Sequence, residues 1–241
     1  MTMTQEDNAA RHQPPQSVQE AILSRRSIRA FLPDPVADDT IRDLLELAAR
    51  APSGTNIQPW NVHVVRGAAR DQLCDEIVAA FMADEDHREE YDYAPERLDD
   101  VYLARRRANG WGLYGTLGIE KGDKTKMKAQ HARNFRLFDA PVGMFLTIDR
   151  DLKFGSWLDN GLFLQTLMLA ARGKGLDTCP QQAFARYHKI IQKRLAIPAN
   201  EMLICGLALG YADMSAPENH YAPEREPVEV FGRFVDDLTV D

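Results

Sequence analysis

The sequence predicts an α+β fold, with one central sheet flanked by helices. Three observations carry this reading. Segments with apolar residues at helical spacing alternate with only a few β-rich stretches, at 60–65, 140–149 and 202–212. Hydrophobic residues make up 44% of the 241, enough for a real core. No internal repeat divides the chain.

Taken in order, residues 1–16 are polar and contain Pro14 and Pro15, which predicts a flexible tail before a single domain over 17–241. The opening, "MTMTQEDNAARHQPPQ", has no apolar centre and so is not read as a signal peptide. Helical spacing begins near Ser17, with Val18, Ala21 and Ile22 on one side, and Pro33 and Pro35 stop it. Asp38, Asp39 and Thr40 read as an N-cap region for a helix carrying Ile41, Leu44, Leu45 and Ala48, which Pro52 and Gly54 end. "WNVHVV" alternates as a strand, and 68–83 is a helix with Leu73, Ile77 and Phe81 inward. From about 84 to 133 the texture turns charged with scattered tyrosines. This predicts a partly helical insertion, too thin in apolar residues for its own core. "APVGMFLTID" is a buried strand, and 156–172 is the most apolar helix. "GLDTCPQQ" is a short turn or strand, 184–195 is helical, and "MLICGLALGYA" is a buried strand.

Several function classes are disfavoured. A net charge of −7 and a pI near 5.4 argue against nucleic acid, although they allow a local basic pocket. The longest apolar runs, 161–171 and 202–212, fall short of the ~20 residues that span a bilayer. Cys74, Cys179 and Cys205 are too widely spaced for a disulfide framework or a CxxC metal site, which points to a reducing, cytoplasmic setting. No two histidines stand three or four residues apart and there is no HExxH, so no metal site is expected. His63 reads as a hydrogen-bonded structural residue and Cys179 as a small buried thiol. No GxxxxGK[ST] occurs, and "GKGLDT" at Gly173 lacks a third glycine and follows a helix.

Two short stretches carry chemistry. In "SRRSIR", Arg25, Arg26 and Arg29 surround Ser27, and forked, permanently charged donors with a hydroxyl suit a phosphate. The same residues also fit a solvated basic helix end. In "APSGTNIQPW", Ser53, Gly54, Thr55 and Asn56 form turns, with Gly54 allowing close backbone approach to a ligand. Asn56 and Gln58 carry amides that both donate and accept, as an imide-like ring edge requires. Alone, this stretch also fits an ordinary helix-to-strand loop.

Together, "RRSIRAFLPDPV" and "APSGTNIQPWNVHVV" resemble the flavin-binding nitroreductase family. The resemblance continues through "NFRLFDAPVGMFLTID", "DNGLFLQTLMLAARGKGLDTCPQQ" and "LICGLALGYAD…YAPEREPVEVF", and so covers nearly all of 17–231. The charged insertion, with "RRRANGWGLYGTLGIEKGDK", most resembles the nitroaromatic and nitrobenzoate reductase branch. The resemblance implies a mostly antiparallel central sheet and an intertwined homodimer with FMN at the subunit interface. It places Arg25 and Ser27 at the FMN phosphate and ribityl end, with Arg26 joining through its backbone, and Arg29 by the N1 and O2 edge of the ring. Pro52, Ser53, Gly54 and Asn56 would reach the flavin bound mainly to the other subunit. Pro180, Gln181 and Gln182 would line the ring near N5, and Arg225 would return to the phosphate. This chain departs from the family pattern at Pro223, where many members carry a second cation, and at Gln182-Ala183, where many have Glu-Gly.

The activity so implied is an NADH- or NADPH-dependent FMN oxidoreductase. It works by ping-pong hydride transfer through flavin N5 to a nitroaromatic or quinone-like acceptor, with no catalytic side chain of its own. Among the insertion's aromatics, Trp111 and Tyr114 are the expected acceptor-binding residues. Reductive dehalogenation of a halophenol on the same fold, and a flavin-binding sensor or carrier without turnover, are the alternatives.

Overall fold

The computed structural model describes residues 12–236. Most of the tail expected over 1–16 therefore lies outside the described residues. Within the rest, His12 Nδ1 lies 3.1 Å from Asp177 Oδ1, and Pro14 packs over Gly175.

Four antiparallel strands form one sheet in the order β1-β2-β4-β3. They are β1 (Asn61–Arg66), β2 (Val142–Asp149), β3 (Asp177–Gln181) and β4 (Glu201–Gly210). The expected α+β class and antiparallel sheet are both present. The stretch "GLDTCPQQ" is a strand at its centre, because five of its residues pair with β4 from Asp177↔Gly210 to Gln181↔Gly206.

The helices cover both faces of the sheet. On one face lie α1 (Val18–Ser24), α2 (Asp38–Ala48) and α6 (Phe154–Gly173). On the other lie α3 (Gly67–Met82) and α7 (His188–Leu195), together with 3-10 turns over Arg133–Asp139 and Gln182–Tyr187. Strand alternation sorts the core. Val142, Met144, Leu146 and Ile148 of β2 join the α2/α6 cluster, while Phe145 joins Phe135, Phe184 and Tyr187 opposite.

The parity breaks once. A register shift between Leu146 and Thr147 lets Leu203 and Cys205 face successive β2 residues, with Ile204 as the extra residue. Ile204 and Cys205 therefore both join the α2/α6 cluster.

Two expectations are corrected locally. Ala37 is the N-cap of α2 and makes no side-chain cap bond. Asp38 and Asp39 lie in the first turn, where carboxylates complement the helix dipole, and Asp38 pairs with Arg66. The segment 184–195 is helical but in two pieces, a 3-10 turn followed by α7.

The insertion contributes an irregular strap followed by α4 (Asp100–Thr116) and α5 (Lys124–Ala132), neither of which buries a residue fully. His63 hydrogen-bonds Glu201 at 2.9 Å across the sheet, the structural role expected of it. The C-terminal segment runs through a 3-10 turn at Pro217–His220 to a single helical turn, α8 (Val228–Phe231). No helix of the described residues is long and apolar enough to cross a membrane.

Candidate functional site

The chain beyond α1 is extended and stitched down on both sides. Ser27 bridges Thr178 in parallel, and Ile28 N–H donates to Thr178 O at 3.1 Å. Leu32 N–H donates to Tyr211 O at 2.8 Å, and Phe31 bridges Ala212. Burying Ile28, Ala30 and Phe31 turns the alternate residues Ser27 and Arg29 toward the surface.

Asn219 fixes this strip to the C-terminal turn. It is 1% exposed. Its Oδ1 accepts from Arg29 N–H at 2.7 Å, and its Nδ2 donates to Ala30 O and Asp213 O, both at 2.8 Å. The same turn carries Tyr221 and Arg225 back to the strip. Asn219 escaped the sequence reading because its partner Arg29 is 190 residues away and an Asn in a turn carries no distinguishing signal.

The result is a cavity of about 590 Å³ walled by Arg25, Arg26, Ser27, Arg29 and Arg225 together with Asn109, Gln165 and Tyr221. No carboxylate lines it, and among the described residues none of the four arginines pairs with one. Their residual partners are neutral: Arg29 NH1 donates to Ser27 O at 3.1 Å, and Arg225 NH1 donates to Pro223 O at 2.9 Å. Burial holds the Arg25 guanidinium below its ordinary value, and the positive charge of Arg225 pushes the same way. Four cations that no carboxylate of the described residues pairs with converge on one cavity and form a receptor for a multiply charged anion. The sequence-predicted Arg25, Arg26, Ser27, Arg29 and Arg225 are thus brought together.

β3 leads from this end to a second cavity. Thr178 pairs with Ser27, and two residues further on Pro180 lines a space of about 480 Å³ with Gln182, Leu146, Trp157, Asn160, Gly161, Leu164, Ile204 and Cys205. Both cavities run along α6, through Asn160, Gly161 and Leu164 at one end and Gln165 at the other. The floor is apolar. Asn160 supplies a buried Oδ1 with no hydrogen-bond partner, the kind of atom that a ligand N–H satisfies. The β4 irregularity at Ile204 stands at this cavity. Gln181 is turned the other way: it is 3% exposed, and its Nε2 donates to Asn134 O at 2.7 Å. Cys179 also points inward, and burial raises its thiol to about 11.

The second predicted loop stands apart. Pro52, Gly54 and Asn56 are exposed, Ser53 is half-buried, and none of them lines either cavity of its own chain. Gly54 itself is not in the left-handed region. Its N–H donates to the Asp159 carboxylate at 3.2 Å, and a Cβ would fit, 3.9 Å from the nearest atom. The left-handed backbone falls instead on Thr55, Asn56 and Gln58, at φ 50°, 59° and 50°. Each such non-glycine residue costs roughly 1–2 kcal/mol.

The insertion reaches the second cavity through its strap. Tyr91 Oη donates to Ile204 O at 2.6 Å and meets Trp157 edge-on at 4.8 Å, while Tyr93 lines the cavity. Glu90 anchors the strap to Arg150 at 2.7 Å and to His188 at 3.2 Å. Trp111 and Tyr114 pack on each other at 5.8 Å on α4 and line neither cavity.

The chain matches known proteins over nearly its full length. A nitrobenzene nitroreductase from Ectopseudomonas oleovorans is 38% identical over 219 residues, spanning 90% of this chain and 96% of that protein. A 4-nitrobenzoate reductase from Pseudomonas putida is 39% identical over 216 residues, covering 89% and 93%. Among solved structures, the FMN- and NADPH-dependent nitroreductase NfnB from Sphigopyxis superposes with a TM-score of 0.88 at 37% identity, over 92% of this chain and 100% of that one. The FMN-dependent NfnB from Mycobacterium smegmatis, solved in complex with NADPH, gives 0.86 at 34% identity over 90% and 97%. The sequence profile of the nitroreductase family matches residues 22–211. The chain belongs to the nitroreductase family.

Proposed function

We propose that this chain is an FMN-dependent oxidoreductase that uses NADH or NADPH to reduce small nitroaromatic or quinone-like acceptors. The observation that carries the reading is the cavity lined by four arginines and no carboxylate of the described residues, with an apolar cavity further along α6. A phosphate at one end and a flat, mostly apolar ring at the other match this division of charge. The residues fit FMN: Arg25, Arg26, Ser27 and Arg225 hold the phosphate end, Arg29 extends positive charge toward the ring, and Pro180 and Gln182 line the ring. Gln181 contributes its backbone, since its side chain is committed to Asn134. Bound FMN supplies the redox chemistry, accepting reducing equivalents from the nicotinamide and delivering them to the acceptor.

The protein's own part is to bind, orient and exclude water. Arginine charge near a ring that becomes more negative on reduction favours the reduced form. No acid–base pair of side chains is required, and Cys179, protonated and turned into the core, stays out of the chemistry.

Two exposed apolar surfaces support a homodimer. α6 exposes Phe154, Leu158 and Leu162, four residues apart, at 91%, 68% and 39%. The C-terminal segment exposes Val228, Phe231 and Phe234. Patches of this kind mark interfaces, and a homodimer covers them. In it, the strained, exposed loop of Pro52, Ser53, Gly54 and Asn56 completes the flavin site of the other subunit. Tyr93 walls the ring end in its own chain, and Trp111 and Tyr114 contact the acceptor from the insertion.

The test is the visible spectrum of the purified protein, followed by anaerobic addition of NADH and of NADPH and then a nitroaromatic. Flavin bands that bleach and then recover are expected. A colourless protein that cannot be reconstituted with FMN refutes the reading. A tightly bound flavin that neither nucleotide reduces replaces it with a sensor or carrier.

A further inference from the structure

The arginine cavity does not end at its arginines. It opens into a further cavity of about 960 Å³ between α4 and the segment 221–227. The two share Asn109, Tyr221, Ala222, Pro223 and Arg225. Pro223 stands at the junction and has no long side chain to close it.

We propose that this outer cavity is an adenylate site, so that the chain accepts FAD as well as FMN, with the AMP half of FAD lying beyond the flavin phosphate. The inference rests on the FMN reading above.

Three features support it. First, the outer cavity begins where a flavin phosphate ends, and Arg225 lines both spaces, as a pyrophosphate spanning them requires. Second, Tyr221 offers an aromatic wall. The hydroxyl edge of its ring abuts α4, where a Cβ on Gly112 would lie 2.4 Å from Tyr221 Cε2, and its Oη donates to Ala108 O at 3.4 Å. A ring held at its edge in this way is preorganised for stacking by a purine. Third, the far wall is polar and not purely basic. Arg105 Nε donates to Glu226 at 2.8 Å, and Glu224 also lines the space. Carboxylates of this kind accept from ribose hydroxyls, and a cavity built for phosphate alone would carry none.

The experiment exchanges the flavin of the full-length protein. Excess FAD is incubated with the purified holoprotein, free flavin is removed, and the bound flavin is identified by chromatography. FMN and riboflavin are run in parallel. Two variants block the outer cavity only, Ala104→Trp and Ala108→Trp, both at exposed positions on α4 that do not line the arginine cavity.

The wild type is expected to retain FAD about as well as FMN and both far better than riboflavin. The variants are expected to lose about tenfold or more in FAD affinity while retaining FMN. Exclusion of FAD by a wild type that binds FMN overturns the proposal. So does equal FAD binding by wild type and both variants, which would place the adenylate in solvent. A protein that binds neither flavin refutes the FMN reading itself, a different outcome from either.

Discussion

Replacing Asn219 by Ala removes one side chain and three hydrogen bonds at 2.7–2.8 Å. The losses are unequal. Arg29 N–H becomes a buried donor with no partner, at a cost of about 1–3 kcal/mol. Ala30 O keeps the Asp213 N–H at 3.0 Å and loses less, while Asp213 O loses its side-chain donor. The sum is about 2–4 kcal/mol of stability. In urea titration the midpoint should fall with the slope unchanged, since the surface exposed on unfolding stays the same. Asn219→Asp is the sharper variant. It keeps the volume and the bond from Arg29, but turns two donors into acceptors facing two carbonyls, and it should lose about as much as Ala. FMN retention should weaken in both, because the arginine strip and the Tyr221–Arg225 segment lose their common anchor. A loss below about 0.5 kcal/mol, ordinary for surface substitutions, with flavin binding intact, refutes the idea that Asn219 holds the site together.

Arg172 and Asp177, each 1% exposed in its side chain, approach to 3.6 Å, and Arg172 Nε also donates to Ser24 Oγ at 3.2 Å. Arg172→Met should cost about 3–5 kcal/mol by stranding the Asp177 charge, and adding Asp177→Leu should recover most of it; a double-mutant cycle measures this, and additive losses would contradict it. Arg225→Ala should weaken FMN by roughly 10- to 100-fold, the loss of one charge-assisted contact. Because Arg225 repels Arg25, the same change should leave the flavin-free protein as stable or slightly more so. A titration of FMN beside thermal melts with and without flavin reads both signs. Burial raises the thiols of Cys74 and Cys179 to about 11 and that of Cys205 to about 12. Their folded values lie above the unfolded one, so stability is fully present below the ordinary thiol value of 9.0 and is lost as pH climbs toward 11–12. Native protein at mild pH should not react with a thiol reagent, and denatured protein should expose all three; rapid native labelling would contradict their burial.

The local elements were legible in the sequence because each rests on a short-range rule. The period of Ile41, Leu44 and Ala48 marks α2, and the unbroken run from Val142 to Ile148 marks a strand buried on both faces. The "SRRSIR" arginines were legible as a cation cluster for the same reason, since their spacing alone concentrates charge. Tertiary contact decided the rest. Whether those arginines were a solvated helix end or a receptor depended on Asn219 and Arg225, far along the chain, and on the absence of any carboxylate among the described residues that line their cavity. The left-handed backbone of the second loop falls on Thr55, Asn56 and Gln58, and Asp159 of α6 accepts from the Gly54 N–H, neither of which local spacing signals. Tyr93 and Trp157 line the ring-end cavity of their own chain, with the strap held there by the Tyr91 hydroxyl donating to Ile204 O, a contact between residues 113 positions apart that no local spacing signals. Spacing along a chain fixes which residues share a face of one helix or strand. Which faces meet is set by burial and hydrogen bonding between residues a hundred or more positions apart, and only the folded chain brings those together.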